Sequence, residues 1–211
     1  MNCKNGASMK IKICGITNLE DALLAEKLGA DAVGFIFYKP SRRCISPETA
    51  KIISKVLSSF TLKVGVFVNE AEEEINKITE IAKLNLIQLH GDEKPEIIPK
   101  LILPSIKSFR VNENYNFTNI ENYKCDNYLF DTFSQDEFGG TGNTFDWDLI
   151  PISLLHRSII AGGVSENNIE EIFTKYNPYA VDISSSIEES IGKKNHNKMK
   201  NLFKKINQIR S

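Results

Sequence analysis

The sequence lacks several features that would each point to a particular class of protein. It contains no apolar run long enough to span a bilayer, and its amino terminus, MNCKNGAS, lacks the hydrophobic segment of a secretion signal. Acidic and basic side chains nearly balance, with 27 Asp and Glu against 26 Lys and Arg, so the basic excess of a dedicated nucleic-acid binder is missing. We therefore expect a cytoplasmic protein that engages neither a membrane nor nucleic acid.

Cysteine and histidine are both scarce, with four of the first and three of the second. The cysteines, Cys3, Cys14, Cys44 and Cys125, form no CxxC pair and no framework of close spacings, which favours reduced thiols over disulfides. No histidine stands at metal-ligand spacing from another histidine or from a cysteine. The composition therefore predicts neither a disulfide framework nor a metal site.

Short β-branched and aromatic runs alternate along the chain with longer stretches of helical periodicity, which is the pattern of βα units around a parallel sheet. The eight predicted strands are IKICGI, AVGFIFY, LKVGVFV, LIQLHG, SIKSFRV, YLFDT, SIIAGGV and AVDISSS. The predicted helices cover residues 19–28, 47–57, 71–84, 95–103, 117–123, 145–152, 166–176 and 195–209. Asn18 and Gly29 flank the first helix as capping residues.

Eight strands and about eight helices in 211 residues predict a (β/α)8 TIM barrel, an α/β fold, near the lower size limit of that architecture. A doubly wound open sheet is the structural alternative, but the first strand-to-helix turn, CGITN, lacks the glycine-rich dinucleotide fingerprint. No linker or change in composition divides the chain. We therefore expect a single barrel domain over residues 9–211, preceded by a disordered extension over residues 1–8.

In a barrel of this kind, catalytic groups project from the carboxyl ends of the strands. The predicted strands end in a thiol, an imidazole, a guanidinium and a carboxylate, carried by Cys14, His90, Arg110 and Asp131. Glycine or serine turns follow the last two strands, at 162–163 and 184–186, and their backbone N–H groups are suited to a phosphate. Each feature also has a plain structural interpretation, such as a packed cysteine, a helix-capping aspartate or a turn formed for backbone reasons.

Seven segments in register carry a resemblance to a known family. They are KICGI, GADAVGFIFY with PSRRCISPE, VGVFVN, IQLHGDE, LFDTF with GGTGNTFDW, AGGVSENN and VDISSSIE. In this order they resemble phosphoribosylanthranilate isomerase of tryptophan biosynthesis, from residue 9 to the carboxyl terminus. The resemblance implies a (β/α)8 barrel that performs an Amadori rearrangement on a small phosphosugar, N-(5-phosphoribosyl)anthranilate. It also implies that the enzyme uses no metal or organic cofactor.

The resemblance further implies a role for each matching residue. Cys14, at the end of the first strand, matches the family's general base, and Asp131, at the end of the sixth, matches its general acid. Arg43 matches the arginine that holds the anthranilate carboxylate, for which a planar two-donor group is suited. His90 lies on the same rim, where we expect it to pack or to form a hydrogen bond beside the substrate. The places of the phosphate cradle are filled by Gly162, Gly163, Ser185 and Ser186.

Both catalytic roles need a protonation state that is not the default. A thiol with its ordinary pKa of about 8.5 is mostly protonated at neutral pH, so we expect Cys14 to lie in an electropositive setting. An aspartate that serves as an acid must hold its proton at neutral pH, which calls for a partly dry pocket around Asp131. The sequence alone shows neither environment.

The chain departs from the family at the turn after the eighth strand, where Ser186 stands in place of the usual glycine. A Cβ at this position is expected to crowd the phosphate or to restrict the backbone. The glycine-rich segment DEFGGTGNTFDW, residues 136–147, is expected to fold over the substrate, with a plain connector as the alternative. These features concern substrate affinity, and they leave the catalytic pair intact.

Three other functions are alternatives to this interpretation. An indoleglycerol-phosphate synthase would need a catalytic lysine at a strand end, and the predicted strand ends supply none. The aminoaldose isomerase of histidine biosynthesis has an aspartate on its first strand, where this chain has Cys14. A non-catalytic phosphate-binding barrel used for regulation would need no acid and base. The small size of the chain favours a monomer over a homodimer.

Overall fold

Eight parallel strands close into a barrel in the computed structural model, which describes residues 9–132 and 145–210. The strands are hydrogen-bonded in the order in which they occur in the chain, and the last pairs with the first. They are β1 (Lys10–Ile13), β2 (Ala32–Ile36), β3 (Leu62–Phe67), β4 (Leu86–Leu89), β5 (Ser105–Val111), β6 (Asn127–Thr132), β7 (Ser158–Ile160) and β8 (Ala180–Ile183). The predicted (β/α)8 barrel and its eight strands are confirmed. The expected amino-terminal extension, residues 1–8, lies outside the described residues.

Helices surround the barrel, and side-chain caps begin the first two of them. They are α1 (Leu19–Leu28), α2 (Pro47–Val56), α3 (Glu72–Ala82), α4 (Ile169–Glu171) and α5 (His196–Arg210). Asn18 caps α1 by accepting a hydrogen bond from the Asp21 backbone N–H, and Gly29 ends the helix with a φ of 103°. Ser46 caps α2 in the same way. Among the helices in the described parts of the chain, none combines the length and the apolar character that crossing a membrane requires.

Four of the predicted helices are wrong as regular α-helices. Where helices are predicted at 95–103, 117–123 and 145–152, the chain forms 3-10 turns instead. These turns are Pro95–Lys100, Phe117–Asn122 and Trp147–Leu149, and a further one follows at Ile152–Arg157. In the helix predicted at 166–176, the three-residue α4 continues as a π-helical turn, Ile172–Tyr176. Pro99 lies inside the first of these segments, where it has no N–H to donate and its ring obstructs an α-helix. In segments this short, few α-helical hydrogen bonds can form, so tighter turns compete.

A small antiparallel ribbon between β8 and α5 is absent from the sequence-based prediction. It consists of β9 (Glu188–Ser190) and β10 (Lys193–Lys194). Gly192 makes the reversal with a φ of 83°, which favours glycine. The backbone N–H of Lys194 donates to the carboxylate of Asp21 at 2.8 Å and so fixes the ribbon against α1. The ribbon matters because it brings two charged side chains to the mouth of the barrel.

Apolar side chains form two clusters on the two faces of the barrel wall. The larger lies between the strands and the surrounding helices, and includes Val33, Phe35, Ile53 and Leu202. The smaller consists of Ile106, Leu129, Ile159, Ala161 and Ala180. Because side chains alternate along a strand, Leu129 points to the same side of β6 as Asp131. The smaller cluster is therefore the floor beneath the polar groups at the barrel mouth.

An ion pair is buried beside the barrel mouth, where the chain leaves β4. The Lys107 ammonium lies 2.8 Å from a Glu93 carboxylate oxygen and donates to the Gly91 carbonyl at 2.7 Å. Glu93 also accepts hydrogen bonds from the backbone N–H groups of Asn69 and Gly91. Both charged side chains are nearly inaccessible to solvent. Removal of one charge therefore leaves the other buried without its partner.

Glu93→Gln is expected to lower the free energy of unfolding by about 3–5 kcal/mol, because it leaves the Lys107 charge buried and unpaired. Glu74→Gln is the matched control, since Glu74 forms an exposed ion pair with Lys77. For that control we expect a loss of less than about 1 kcal/mol. Urea unfolding followed by tryptophan fluorescence measures both variants, and equal losses would contradict the prediction.

Candidate active site

One cleft at the carboxyl ends of the strands brings together the site residues that the resemblance implies. They are Cys14, Arg43, His90, Asp131, Gly162, Gly163, Ser185 and Ser186. Arg110, near the end of β5, does not line this cleft and pairs with Asp92. Apolar side chains, among them Ile36, Val66 and Val68, line the same cleft. These residues meet because the parallel strands of a closed barrel all end at the same face. Residues 136–144 of the segment expected to cover the substrate lie outside the described residues.

Cys14 follows the last residue of β1, and two glycines clear the space around it. On the neighbouring strand, a Cβ added at Gly34 would lie 2.8 Å from the Cys14 sulfur, closer than such atoms approach. Gly15 adopts a φ of 71°, which would strain a side chain, and a Cβ there would lie 2.8 Å from Cδ of Arg43. The sequence Cys14-Gly15 therefore lets the thiol and the Arg43 side chain share the end of β1.

A buried ion pair lies next to Cys14. Lys12, two residues earlier on β1, points to the same side of the strand. Its ammonium lies 2.7 Å from an Asp182 carboxylate oxygen, and both side chains are almost fully buried. Asp182 also lines the cleft, and its second oxygen has no hydrogen-bond partner within residues 9–132 and 145–210. Cys14 is thus close to one positive and one negative charge of the protein.

The pKa of the Cys14 thiol is raised above its ordinary value. Burial is the largest cause, and the Asp182 charge acts in the same direction. The positive charges of Lys12 and Lys194 act to lower the pKa, but they do not outweigh the other two effects. The electropositive side chains expected around Cys14 are therefore present, yet the thiol is mainly protonated at neutral pH in the protein without substrate.

Asp131 lies near the end of β6, with its carboxylate buried beside His90, the residue that follows β4. One Asp131 oxygen lies 3.3 Å from Nε2 of His90, and the other accepts the Thr132 N–H at 2.8 Å. The side-chain amide nitrogen of Gln88 lies 2.9 Å from Nδ1 of His90. When that amide donates to Nδ1, the hydrogen of a neutral imidazole is on Nε2 and points at Asp131. The partly dry surroundings expected for Asp131 are present, since the residue is 6% exposed.

Arg43 lines the cleft with its guanidinium held by a carboxylate of the protein. Nε donates to one Glu188 oxygen at 2.9 Å and Nη2 donates to the other at 2.8 Å, which makes a two-pronged ion pair. Lys194 donates to the same carboxylate at 3.0 Å. Burial by itself raises the pKa of the Glu188 carboxyl, but the contacts with Arg43 and Lys194 outweigh burial and lower it. Glu188 is therefore an ionised carboxylate between two cations.

The turns after β7 and β8 have conformations that suit recognition of an anion by the backbone. Gly162 and Gly163 have φ values of 74° and 69°, in the left-handed region that favours glycine. A Cβ at Gly162 would lie 2.2 Å from the Thr132 hydroxyl oxygen, so no side chain fits there. Ser186 lies in a 3-10 turn with a negative φ, and its hydroxyl donates to the Val164 carbonyl at 2.6 Å. The serine at the family's glycine position therefore adds no backbone strain, and it ties the two turns together.

Five polar residues of this region are absent from the sequence-based prediction, namely Lys12, Gln88, Asp182, Glu188 and Lys194. The first three occupy inward positions in apolar strand segments, where a charged or amide group requires a partner. A polar residue at an inward position of an apolar strand is therefore a signal of a buried polar partner, although such a residue need not stand at the end of the strand. Glu188 and Lys194 belong to the ribbon β9–β10, whose short strands have no distinctive periodicity.

Comparison with known proteins places the chain in one enzyme family. A family model described as N-(5′-phosphoribosyl)anthranilate (PRA) isomerase matches residues 11–205. The chain belongs to this family. The PRA isomerase of Trichlorobacter lovleyi is 41% identical over 198 residues, which cover 93% of this chain and 97% of the relative. That of Bacillus cereus is 45% identical over 198 residues, which cover 92% and 96% of the two chains.

Solved structures of PRA isomerases share the fold. The enzyme from Thermus thermophilus matches with a TM-score of 0.89 and 38% identity, over 96% of this chain and 100% of that one. A PRA isomerase in complex with reduced 1-(o-carboxyphenylamino)-1-deoxyribulose 5-phosphate matches with a TM-score of 0.83 and 39% identity, over 95% and 99% of the two chains. A third structure shows monomers generated from the dimeric enzyme of Thermotoga maritima, with a TM-score of 0.82 and 38% identity over 95% and 99%. The family therefore includes a dimeric member.

In this member of the PRA isomerase family, the raised pKa of Cys14 predicts the pH dependence of its alkylation. The reactive thiolate is expected to form only above the ordinary pKa of a thiol, about 8.5. Asp182→Asn removes a negative charge that helps to raise the pKa, so the rate profile of Cys14 is expected to shift to lower pH. Iodoacetamide rates for separate peptides, measured by mass spectrometry, give the profile. Cys44 is the internal control, and a Cys14 profile that stays in place or moves upward would contradict the prediction.

Proposed function

We propose that this chain catalyses the Amadori rearrangement of N-(5′-phosphoribosyl)anthranilate to 1-(2-carboxyphenylamino)-1-deoxyribulose 5-phosphate, a step of tryptophan biosynthesis. The observation that carries the proposal is the presence of Cys14 and Asp131 on one cleft, at the ends of the non-adjacent strands β1 and β6. A substrate bound between them meets a base and an acid at different atoms. Membership of the PRA isomerase family supports the same reaction.

The first step opens the aminosugar ring and needs an acid. We assign this role to Asp131, which protonates the ring oxygen as the bond from that oxygen to the first sugar carbon breaks. The electron pair of the anthranilate nitrogen forms the C=N bond, and a cationic Schiff base results. His90 contacts Asp131 at 3.3 Å, and we assign it the role of orienting the carboxyl group toward the substrate.

The second step removes a proton from the second sugar carbon and needs a base. We assign this role to Cys14, and the enolamine that results tautomerises to the ketone. The base form is the thiolate, which the raised pKa makes a minority species in the protein without substrate. A cationic Schiff base adds a positive charge near Cys14, in the same sense as Lys12, and so favours the thiolate once substrate is bound.

Substrate recognition uses different chemistry at the two ends of the molecule. Arg43 provides a charged contact for the anthranilate carboxylate. The phosphate is held mainly by backbone N–H groups of the turns that contain Gly162, Gly163, Ser185 and Ser186. The positive φ values of the two glycines support this assignment, because successive N–H groups in such turns converge on an anion.

We propose the monomer as the active unit, because the cleft of a single chain already contains the proposed base, acid and carboxylate-binding residue. A feature that favours a homodimer instead is a set of exposed apolar side chains on and after α2. They are Ile52, Val56, Phe60 and Leu62. Light scattering at the concentration used in the assay decides between the two states.

We also propose that the protein acts in the cytoplasm. Its base is a thiol that must stay reduced, and a reducing compartment provides that condition.

The purified protein is expected to consume PRA, which is followed by the loss of the substrate's fluorescence. Cys14→Ala and Asp131→Asn are each expected to lower kcat by about a hundredfold or more, the usual range for general acid and base groups, with a much smaller change in KM. Cys125→Ala is the control, because that cysteine lies outside the cleft. Near-full activity in a Cys14 or Asp131 variant would remove that residue from the mechanism, and an inactive parent would reject the proposed reaction.

Arg43→Ala is expected to raise KM strongly, because loss of one partner of a buried charged contact costs about 2–5 kcal/mol. Ser185→Ala is expected to change KM little, since backbone N–H groups rather than the hydroxyl hold the phosphate. Inorganic phosphate should compete with substrate equally well in Arg43→Ala and in the parent. Steady-state kinetics with and without inorganic phosphate give KM for both variants and the inhibition constant of phosphate. If that constant rises in Arg43→Ala in step with KM, Arg43 binds the phosphate instead.

A further inference from the structure

The residue proposed to bind the substrate carboxylate, Arg43, is already paired with a carboxylate of the protein. Glu188 accepts two of the five guanidinium N–H groups, one from Nε and one from Nη2. The pair is buried, with the Arg43 side chain 12% exposed and that of Glu188 5% exposed. Because both prongs are engaged, Glu188 fixes the plane of the guanidinium relative to the cleft that Arg43 lines.

Glu188 is itself held firmly. The oxygen that accepts from Nε of Arg43 also accepts from the Lys194 ammonium at 3.0 Å and from the Gly192 backbone N–H at 3.3 Å. Lys194 is fully buried and donates in addition to the Ser184 carbonyl at 3.1 Å. A carboxylate with this number of donors has little remaining capacity to accept hydrogen bonds. Glu188 is thus a fixed support for Arg43.

The charges of this triad, Arg43, Glu188 and Lys194, do not cancel. Arg43 and Glu188 alone form a neutral pair, which attracts a second carboxylate weakly. Lys194 contributes another positive charge to the same buried group, so the triad as a whole attracts an anion. Such attraction is strong where water is excluded, as it is around these side chains.

We propose that Glu188 is a positioning residue that sets the selectivity of the site for a substrate with a carboxylate, and that it acts through Arg43. Lys194 supplies the positive charge that the Arg43–Glu188 pair by itself lacks. Lys194 also holds the Ser184 carbonyl, at the start of the turn assigned to the phosphate, so the triad links the two ends of the site. The inference rests on the proposed function, in which the anthranilate carboxylate contacts Arg43.

Two inhibitors that differ only in the carboxyl group test this role. One is reduced 1-(2-carboxyphenylamino)-1-deoxyribulose 5-phosphate, and the other is its phenylamino counterpart. The inhibition constant of the phenylamino compound divided by that of the carboxyl compound measures what the carboxylate contributes to binding, and this quotient is called the ratio below. Glu188→Gln removes a negative charge, which by itself would strengthen the attraction for a carboxylate, but it also places an amide group against a donor of Arg43 or Lys194 and breaks the two-pronged contact that orients the guanidinium. If Glu188 is a positioning residue, the loss of orientation outweighs the gain in charge, and the ratio is expected to fall about tenfold or more. The inhibitor without the carboxyl group is expected to bind within about threefold of its affinity for the parent.

Three further variants sharpen the test. Glu189→Gln is the matched control, because Glu189 is the next residue of the same strand and pairs with Lys193 in an exposed position. Its ratio should equal that of the parent. A double variant of Arg43→Ala and Glu188→Gln should show the same ratio as Arg43→Ala alone, because Glu188 acts only through Arg43. Lys194→Met, which keeps the Arg43–Glu188 pair but removes a positive charge, should also lower the ratio.

The outcomes separate this inference from the proposed function. If Glu188→Gln weakens the binding of both inhibitors by the same factor, the ratio does not change. Glu188 would then have a merely structural role, and the inference would be overturned. A further loss in the double variant would overturn it as well. A parent that neither turns over PRA nor binds either inhibitor rejects the proposed function, whereas an active parent with an unchanged ratio in Glu188→Gln rejects this inference alone. Should Glu188→Gln fail to fold, an unchanged ratio in Lys194→Met would overturn the inference.

Discussion

The hydrogen-bonded seam between β8 and β1 closes the barrel and places the charges on which its site depends. In that seam Lys12 stands directly opposite Asp182, and the two side chains meet at 2.7 Å. An open sheet would separate them and leave buried charges without partners, which is strongly destabilising. The Lys12–Asp182 pair can therefore be buried only if the barrel closes, and the barrel can close only if the two charges are paired. Cys14 directly follows β1, and its backbone N–H donates to the Ile183 carbonyl of β8 at 2.9 Å, so it continues the seam. Its sulfur therefore lies among charges that exist together only in the closed barrel.

Polar groups at the barrel mouth are paired before any substrate arrives. His90 contacts Asp131, Lys12 contacts Asp182, and Arg43 contacts Glu188. Groups that are already oriented by protein partners need little rearrangement during a reaction, which is how preorganised sites stabilise charge as it develops. The same burial raises the pKa of the Cys14 thiol. The base thus depends on charge brought by the substrate, whereas the binding groups are ready beforehand.

The fold was predictable from the chain wherever local patterns were strong. All eight strands follow from short apolar runs rich in β-branched and aromatic residues, and α1 begins and ends at the capping residues Asn18 and Gly29. The predicted helices between residues 95 and 176 differ from the structure, which has mainly 3-10 and π turns there, whereas the helix predicted at 195–209 is present as α5. The spacing of apolar residues indicates which side chains face inward, and a 3-10 or π turn can bury those side chains as an α-helix does. Pro99 is a local signal against an α-helix, because it has no N–H to donate inside the segment.

The sequence by itself determined which groups stand at the strand ends, and the ends of parallel strands meet at one face whatever the surrounding details. Cys14 and Asp131 stand at such strand ends, whereas Arg43 lies in the loop after β2 and is predicted only by the resemblance to the family. Arg110, which also stands at a strand end, pairs with Asp92 and does not line the cleft. Tertiary structure alone decided their partners and therefore their chemical state. Glu188 meets Arg43 across 145 positions of the chain, and Asp182 meets Lys12 across 170. Such pairs depend on barrel closure and on the exclusion of water from the mouth, two properties of the assembled fold that no local pattern of residues encodes.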